Sequence, residues 1–272
     1  MAFQVSPGVL VQEKDLTRII PAVSTSIGAF AGEFRKGPLD QVTSISSEQE
    51  LVQVFGKPDN SNFEDFFTPA NFLQYSNALR VVRAQNTGVS NATVSGSLFV
   101  IKNTQDYQDN WSTGAATVGE WAGRTAGAWG NTLKVSVCHS AVGFQEDAKT
   151  TLDDAAMAVG HTTVTVTSGT GIAVGDILEF SKTAAGTDYD GYKYRVTVVN
   201  SNDITFVRSD TGQGGLHQVP ANGANVKRLW EYFDAVSSAP GTSPHATARL
   251  GVNDEMHVVV IDEDGLITGT RG

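Results

Sequence analysis

Cysteine is almost absent: Cys138 is the one thiol in 272 residues, so no disulfide can form within the chain. Basic residues are also scarce, 19 against 29 acidic, which leaves a formal charge of −10. A surface of that sign repels phosphate backbones and anionic lipid, so nucleic-acid binding is not expected. No apolar run approaches the length of a membrane span, and no secretory leader pattern opens the sequence. The expectation is a protein made and used in a reducing cytoplasm, or in something assembled there. Asn91-Ala92-Thr93 and Asn110-Trp111-Ser112 match the glycosylation pattern and, without secretion, are chance matches.

What is present describes an ordered protein. Hydrophobic residues make up 40% and charged residues 18%, with 28 glycines, a balance that favours many turns and much β structure in one large domain or two smaller ones. In the first residues Phe3, Val5, Val9 and Val11 fall on alternate positions, the period of a strand with one apolar face. Pro7 removes a donor and assigns that strand to a sheet edge, and a polar stretch, residues 13–18, follows as a tether. A strand on a tether can pair with its own domain or with another copy.

Beyond the arm, residues 26–34 form a strand with close-packed glycines, and 42–45 a second extended piece. Ser47 and Glu50 have capping-box spacing ahead of Leu51, Val52 and Phe55, and Gly56 with Pro58 ends that helix. Residues 61–77 form a second, aromatic-rich helical region, with Thr68-Pro69 offering a cap and restart. Residues 79–84 return as a strand, so this stretch is a small α/β unit. Residues 94–101 are expected to be a strand, 104–110 a loop, and 133–138 a patterned strand that buries Cys138.

Past Phe144 the composition shifts. Residues 163–167, 176–180, 192–199 and 204–207 are four short strands separated by Gly, Asn and Asp turns, the pattern of a small barrel or sandwich. Met256 to Ile261 is a continuous apolar strand, Asp262-Glu263-Asp264-Gly265 a turn, and residues 266–268 start a returning strand. A hairpin so apolar needs a layer on both faces.

The residue types that carry chemistry are dispersed. His139, His161, His217, His245 and His257 have no metal-ligand spacing. The turn at Asp262 could open a calcium loop, but a hairpin explains it with less. The glycine-rich residues 123–131 lack the Gly-Lys-Ser/Thr ending of a phosphate loop; their small residues let the backbone pass beneath Trp129. No catalytic, cofactor-binding or metal-ligating residue is assigned, and no cofactor is expected.

The residues do resemble a family. Ser6-Pro7-Gly8-Val9 with Glu13, the strand Ile27 to Gly32, and Lys36-Gly37-Pro38 are similar to the N-terminus of contractile phage tail sheath proteins, with T4-like myophage sheaths nearest in kind. The likeness continues through Leu51 to Pro58, Asn71 to Ala84, Gly127 to Val135 and the hairpin ending at Gly265. It spans roughly the first half of the chain and its last segment, and omits the β-rich middle.

The strand pattern and the resemblance together lead to the expectation of an α+β protein: a small α/β sheath core with an extended N-terminal arm, and, from the strand pattern alone, an inserted all-β, barrel- or sandwich-like domain. The divisions are residues 1–20 for the arm, 21–143 for the first part of the core, 144–229 for the insertion and 230–272 for the return, with the family's C-terminal domain absent. The implied function is a structural subunit, not an enzyme. It would polymerise as stacked rings around an inner tail tube, between baseplate and neck or terminator proteins, and contract to drive the tube through the host envelope. No nucleic acid and no membrane insertion would be involved, and the place would be the virion tail, assembled in the host cytoplasm. The arm residues Phe3, Val5, Pro7, Gly8, Val9, Val11 and Glu13 would link neighbouring subunits. Phe55, Gly56, Pro58, Phe72, Tyr75, Trp129, Gly130 and Asn131 would form the family core. The alternative is a tail- or baseplate-associated module whose β insertion recognises a host glycan through Tyr189 and Tyr192.

Overall fold

The computed structural model describes residues 27–84, 87–114, 118–265 and 267. The arm expected at residues 1–20, and most of the returning strand expected at 266–268, lie outside these. The described chain is mixed α+β, with few helices and one large antiparallel sheet. It divides into two compact units, one running to Leu133 and resuming at Asp262, the other Lys134–Ile261.

The first unit is built on a three-stranded sheet. β3 (Leu79–Arg83) is central, with β1 (Gly28–Gly32) parallel on one side and β2 (Val42–Ile45) antiparallel on the other. Because residues two apart share a face, Ile45, Leu79 and Val81 point together. They are buried with Leu51 and Phe55 of α1 (Glu48–Phe55) and Phe66 and Ala70 of α2 (Phe63–Leu73). Each large side chain buried this way contributes roughly 1.5–3 kcal/mol. Gly28 is needed for that approach: a Cβ there would stand 2.6 Å from the Phe72 ring.

The cap of α1 follows the sequence signal, with one change. Ser47 Oγ accepts from Glu50 N at 3.2 Å, but the Glu50 carboxylate returns to Ser46, taking its N–H at 2.8 Å and its hydroxyl at 2.7 Å. Gly56 ends the helix at φ +88°, its N–H on Val52 O. α2 does not restart at Thr68-Pro69. It is one helix with Pro69 inside and buried, and Thr68 donates its hydroxyl back to Glu64 O at 2.8 Å.

Two further expectations are corrected. Residues 94–101 form no strand, because Thr93 to Gly96 turn and Val94 and Leu98 face out. Phe99 and Ile101 are instead held by buried Asn91, which accepts from Ile101 N and donates to Gly123 O, both at 2.7 Å. Residues 104–110 are helical, not a loop: α3 (Thr104–Asp106) is capped by Asn103 and runs into a π-turn, Tyr107–Trp111. This puts Trp111 edge-on to Phe99, ring centroids 4.5 Å apart.

The second unit opens with β4 (Leu133–Cys138) and a short α4 (Ala141–Phe144). Its large sheet holds six strands: β5 (Gln145–Thr151), β6 (Thr163–Thr165), β7 (Ile177–Ala184), β8 (Tyr194–Asn200), β9 (Asp203–Arg208) and β10 (Ala224–Leu229). Their order is β5-β10-β7-β8-β9-β6. The outer strands also meet: Leu152 bridges Val166, Asp153 N donates to Thr165 O and Thr167 N to Thr151 O, both at 2.9 Å. The sheet therefore closes on itself around Leu152, Val164, Phe180, Tyr194, Phe206 and Val226. Closure removes two free edges. A short α5 (Pro244–Thr247) precedes β11 (His257–Asp262), which pairs with β4. Cys138 is buried, and burial pushes its thiol pKa up.

Candidate assembly surface

In the first unit the functional geometry centres on a residue that sequence reading passed over. Arg83 ends β3 with its guanidinium buried, and its partners are carbonyls: Nε donates to Phe34 O at 2.8 Å, and Nη1 to Gly37 O at 2.9 Å and Ala126 O at 2.7 Å. A longer contact, 3.4 Å, joins Nη2 to Arg35 O. Burial lowers its pKa to about 10. One planar, five-donor group thus ties the turn after β1 to the glycine-rich segment before β4, which only arginine's fork can do. The signal was a second charge in an otherwise apolar strand, Leu79-Arg80-Val81-Val82-Arg83, of which Arg80 faces solvent.

The family-core residues occupy different environments. Phe55 is fully buried, its ring 4.6 Å from Phe34. Pro58 and Phe72 are half-buried. Trp129 lies in a 3₁₀ turn (Ala128–Thr132), with Lys36 Nζ 5.9 Å from its ring, and Gly130 is buried against Ala92. The Lys36 stem also runs beside Gly56, so Gly56, Lys36 and Trp129 come together. Tyr75 and Asn131 do not join them. Tyr75 is 90% exposed, and Phe63 and Phe67, one turn apart on α2, are half-exposed, which leaves aromatic surface available to a partner.

The Asp262 turn is structural. Its carboxylate is buried and accepts from Thr132 Oγ1 at 3.2 Å and from Ile267 N at 2.7 Å. Among the described residues no group of three His, Cys, Asp or Glu side chains could hold a metal ion. No helix among them is long and apolar enough to cross a membrane. Asn91 is buried, with its amide oxygen and nitrogen both bonded to backbone, whereas Asn110 is exposed and donates to Asp106 at 2.8 Å.

The sheet and the two helices of the first unit have a counterpart among known proteins. Residues 25–84, from the approach to β1 through the end of β3, match the model of the tail sheath protein Gp18 domain III N-terminal region. The tail sheath protein of Enterobacteria phage T4 is 36% identical over 95 residues, 34% of this chain and 14% of its own length. That of Salmonella phage ViI is 34% identical over 143 residues, covering 52% of this chain and 22% of its own. This chain is a relative of the phage tail sheath proteins. The tail sheath protein of Vibrio phage KVP40 is likewise 34% identical over 109 residues, 40% of this chain and 16% of its own. The chain thus spans less than a quarter of the length of these sheath relatives. Arg83 and the carbonyls of Phe34 and Gly37 fall inside the matched segment, while Ala126, the third carbonyl, lies beyond it.

Proposed function

We propose that this chain serves as a structural subunit of a contractile phage tail sheath. In that role copies stack as rings around an inner tube, between baseplate and neck proteins, and the change in their packing drives the tube through the host envelope. Residues 3–13 link one copy to the next by adding a strand to a neighbouring sheet, and the polar tether at 13–18 lets the link persist while rings slide. Residues 144–229 form an insertion carried by the core. The observation that supports this reading most is the match over residues 25–84, which coincides with the sheet and helices of the first unit.

A glycan-binding role for the β insertion has less support. Tyr189 has Lys227 Nζ 5.0 Å from its ring and Tyr192 stacks on His217 at 4.2 Å, so each has one face engaged within the chain. Electron microscopy of phage particles, with this chain labelled by antibody, tests the proposal. The expected image is label along a ringed cylinder around a narrower tube; label confined to fibres or absent from the tail would overturn it.

A further inference from the structure

Glycine follows Asp or Asn at three places in the chain: Asp190-Gly191, Asn222-Gly223 and Asp264-Gly265. In such a pair no side chain shields the peptide nitrogen from the carboxyl or amide before it. Two of the three nitrogens donate to neutral carbonyls, Gly223 N to Leu152 O at 2.9 Å and Gly265 N to Asp262 O at 3.2 Å. Gly191 N differs. It donates to a carboxylate, Glu179 Oε1, at 3.0 Å, and Glu179 is a buried residue of β7. A carboxylate at that distance is placed to take the proton from the nitrogen.

The Asp190 carboxyl is set for the other half of a reaction. Its Oδ1 accepts from Tyr192 N at 3.0 Å, an Asx turn that folds the carboxyl back over the Gly191 peptide, and its Oδ2 accepts from Gln218 Nε2 at 3.3 Å. Both donors stabilise negative charge gathering on oxygen as a nitrogen adds to Cγ. Asp190 N donates to Phe180 O at 3.0 Å, which fixes this end of the loop between β7 and β8. Gly191, at φ +82°, has no atom within 4 Å of where a Cβ would stand, so a ring closes there into open space. Burial, with Glu179 near, raises the Asp190 pKa above 3.8 and favours the neutral acid, the form open to attack.

We propose that Asp190-Gly191 is a self-modification site at which Glu179 acts as the base. Gly191 N bonds to Asp190 Cγ while Glu179 takes the amide proton. The hydroxyl of the Asp190 carboxyl leaves with that proton as water, and a succinimide remains. Water then breaks the bond from Gly191 N to the Asp190 main-chain carbonyl carbon, giving isoaspartate, or the bond to Cγ, restoring aspartate. No other reactant is consumed. Isoaspartate lengthens the backbone by a methylene and draws Gly191 N away from Glu179, whose buried carboxylate loses that donor.

The test incubates the whole 272-residue chain, folded and in urea, and maps isoaspartate at each pair by electron-transfer mass spectrometry. In the folded chain position 190 should accumulate isoaspartate about ten-fold or more faster than positions 222 and 264, and in urea that lead should vanish. Glu179→Gln keeps an acceptor for Gly191 N without the base, and should slow position 190 by a similar factor while position 264 is unchanged. Equal rates at 190 and 264 in the folded chain, or a lead that survives in urea, would overturn the inference, as would an undiminished rate in folded Glu179→Gln. Where that variant fails to fold, the comparison of folded and urea-treated unaltered chain decides.

Discussion

Arg83 Nη1 donates to Ala126 O at 2.7 Å, and the next residue, Gly127, holds a backbone conformation, φ +136° and ψ +153°, open essentially to glycine alone. A Cβ on Gly127 would collide with Arg35 O, itself a contact of Arg83. The two residues are one joint. Arginine supplies the donors, and glycine lets the backbone come near enough to use them.

Removing either half should be costly and the costs should not add. Arg83→Met leaves the carbonyls of Phe34, Gly37 and Ala126 without their charged donor, an expected loss of about 2–4 kcal/mol. Gly127→Ala forces both strain and collision, at about 1–3 kcal/mol. Urea unfolding of the double variant is expected to show a loss smaller than the sum, because both changes break the same contacts. Full additivity would mean that the joint does not act as a unit.

This joint marks where sequence reading stops. Local signals were legible: Ser47 and Gly56 bound α1 because caps are set by neighbours in the chain. The glycine-rich segment was read as a close backbone passage, but its partner lies 43 residues away, and spacing does not reveal such a pair. Strand β5 was missed for another reason. Gln145-Glu146-Asp147-Ala148-Lys149-Thr150-Thr151 has no apolar alternation, since its pairing is dictated by barrel closure and not by a face of its own. Thr68-Pro69 misled because burial of Pro69 outweighs the broken helix ladder.

The start of α1 should be sensitive to acid. The bonds from Ser46 N and Oγ hold Glu50 below its ordinary 4.5. Between the folded value and 4.5 the unfolded chain binds more protons, so this contribution is complete above 4.5 and disappears as pH falls through the folded value. Glu50→Gln should therefore flatten the acid limb of a melting-temperature profile. A limb of unchanged slope would show that the Ser46 contacts do not persist in solution.

A buried cluster in the second unit runs the other way. Asp176 accepts from Ala173 N at 2.8 Å and faces Arg228 Nη1 at 3.4 Å, while Glu231 stands near and pairs with Lys134 at 2.6 Å. Burial outweighs the pull of Arg228 and raises the Asp176 pKa above 3.8. The folded state thus holds the proton more tightly, and stability falls as pH rises from 3.8 through the folded value. Arg228→Met also deprives Val142 O and Gly143 O of a donor, and should cost about 3–5 kcal/mol at neutral pH. The deficit should shrink on acidification, once Asp176 is neutral. A deficit independent of pH would assign the loss to the two carbonyls alone.

Closure of the six-stranded sheet makes the sharpest claim about cooperativity. Leu152 is buried at the seam, where its bridge to Val166 and the 2.8 Å bond between Thr151 and Thr167 hydroxyls join the first and last strands. Leu152→Ala removes core volume at a point fixed from both sides, so little collapse can compensate, and a loss of about 2–5 kcal/mol is expected. Thr151→Val removes the hydroxyl contact at nearly constant volume and should cost less, about 1 kcal/mol. Amide exchange then distinguishes a closed barrel from an open sheet. In a closed barrel Leu152→Ala accelerates exchange in β7 and β8, the strands farthest from the seam, as much as in β5 and β6. Acceleration confined to β5 and β6 would mean that the seam is a fraying edge and that the strands hold their order without it.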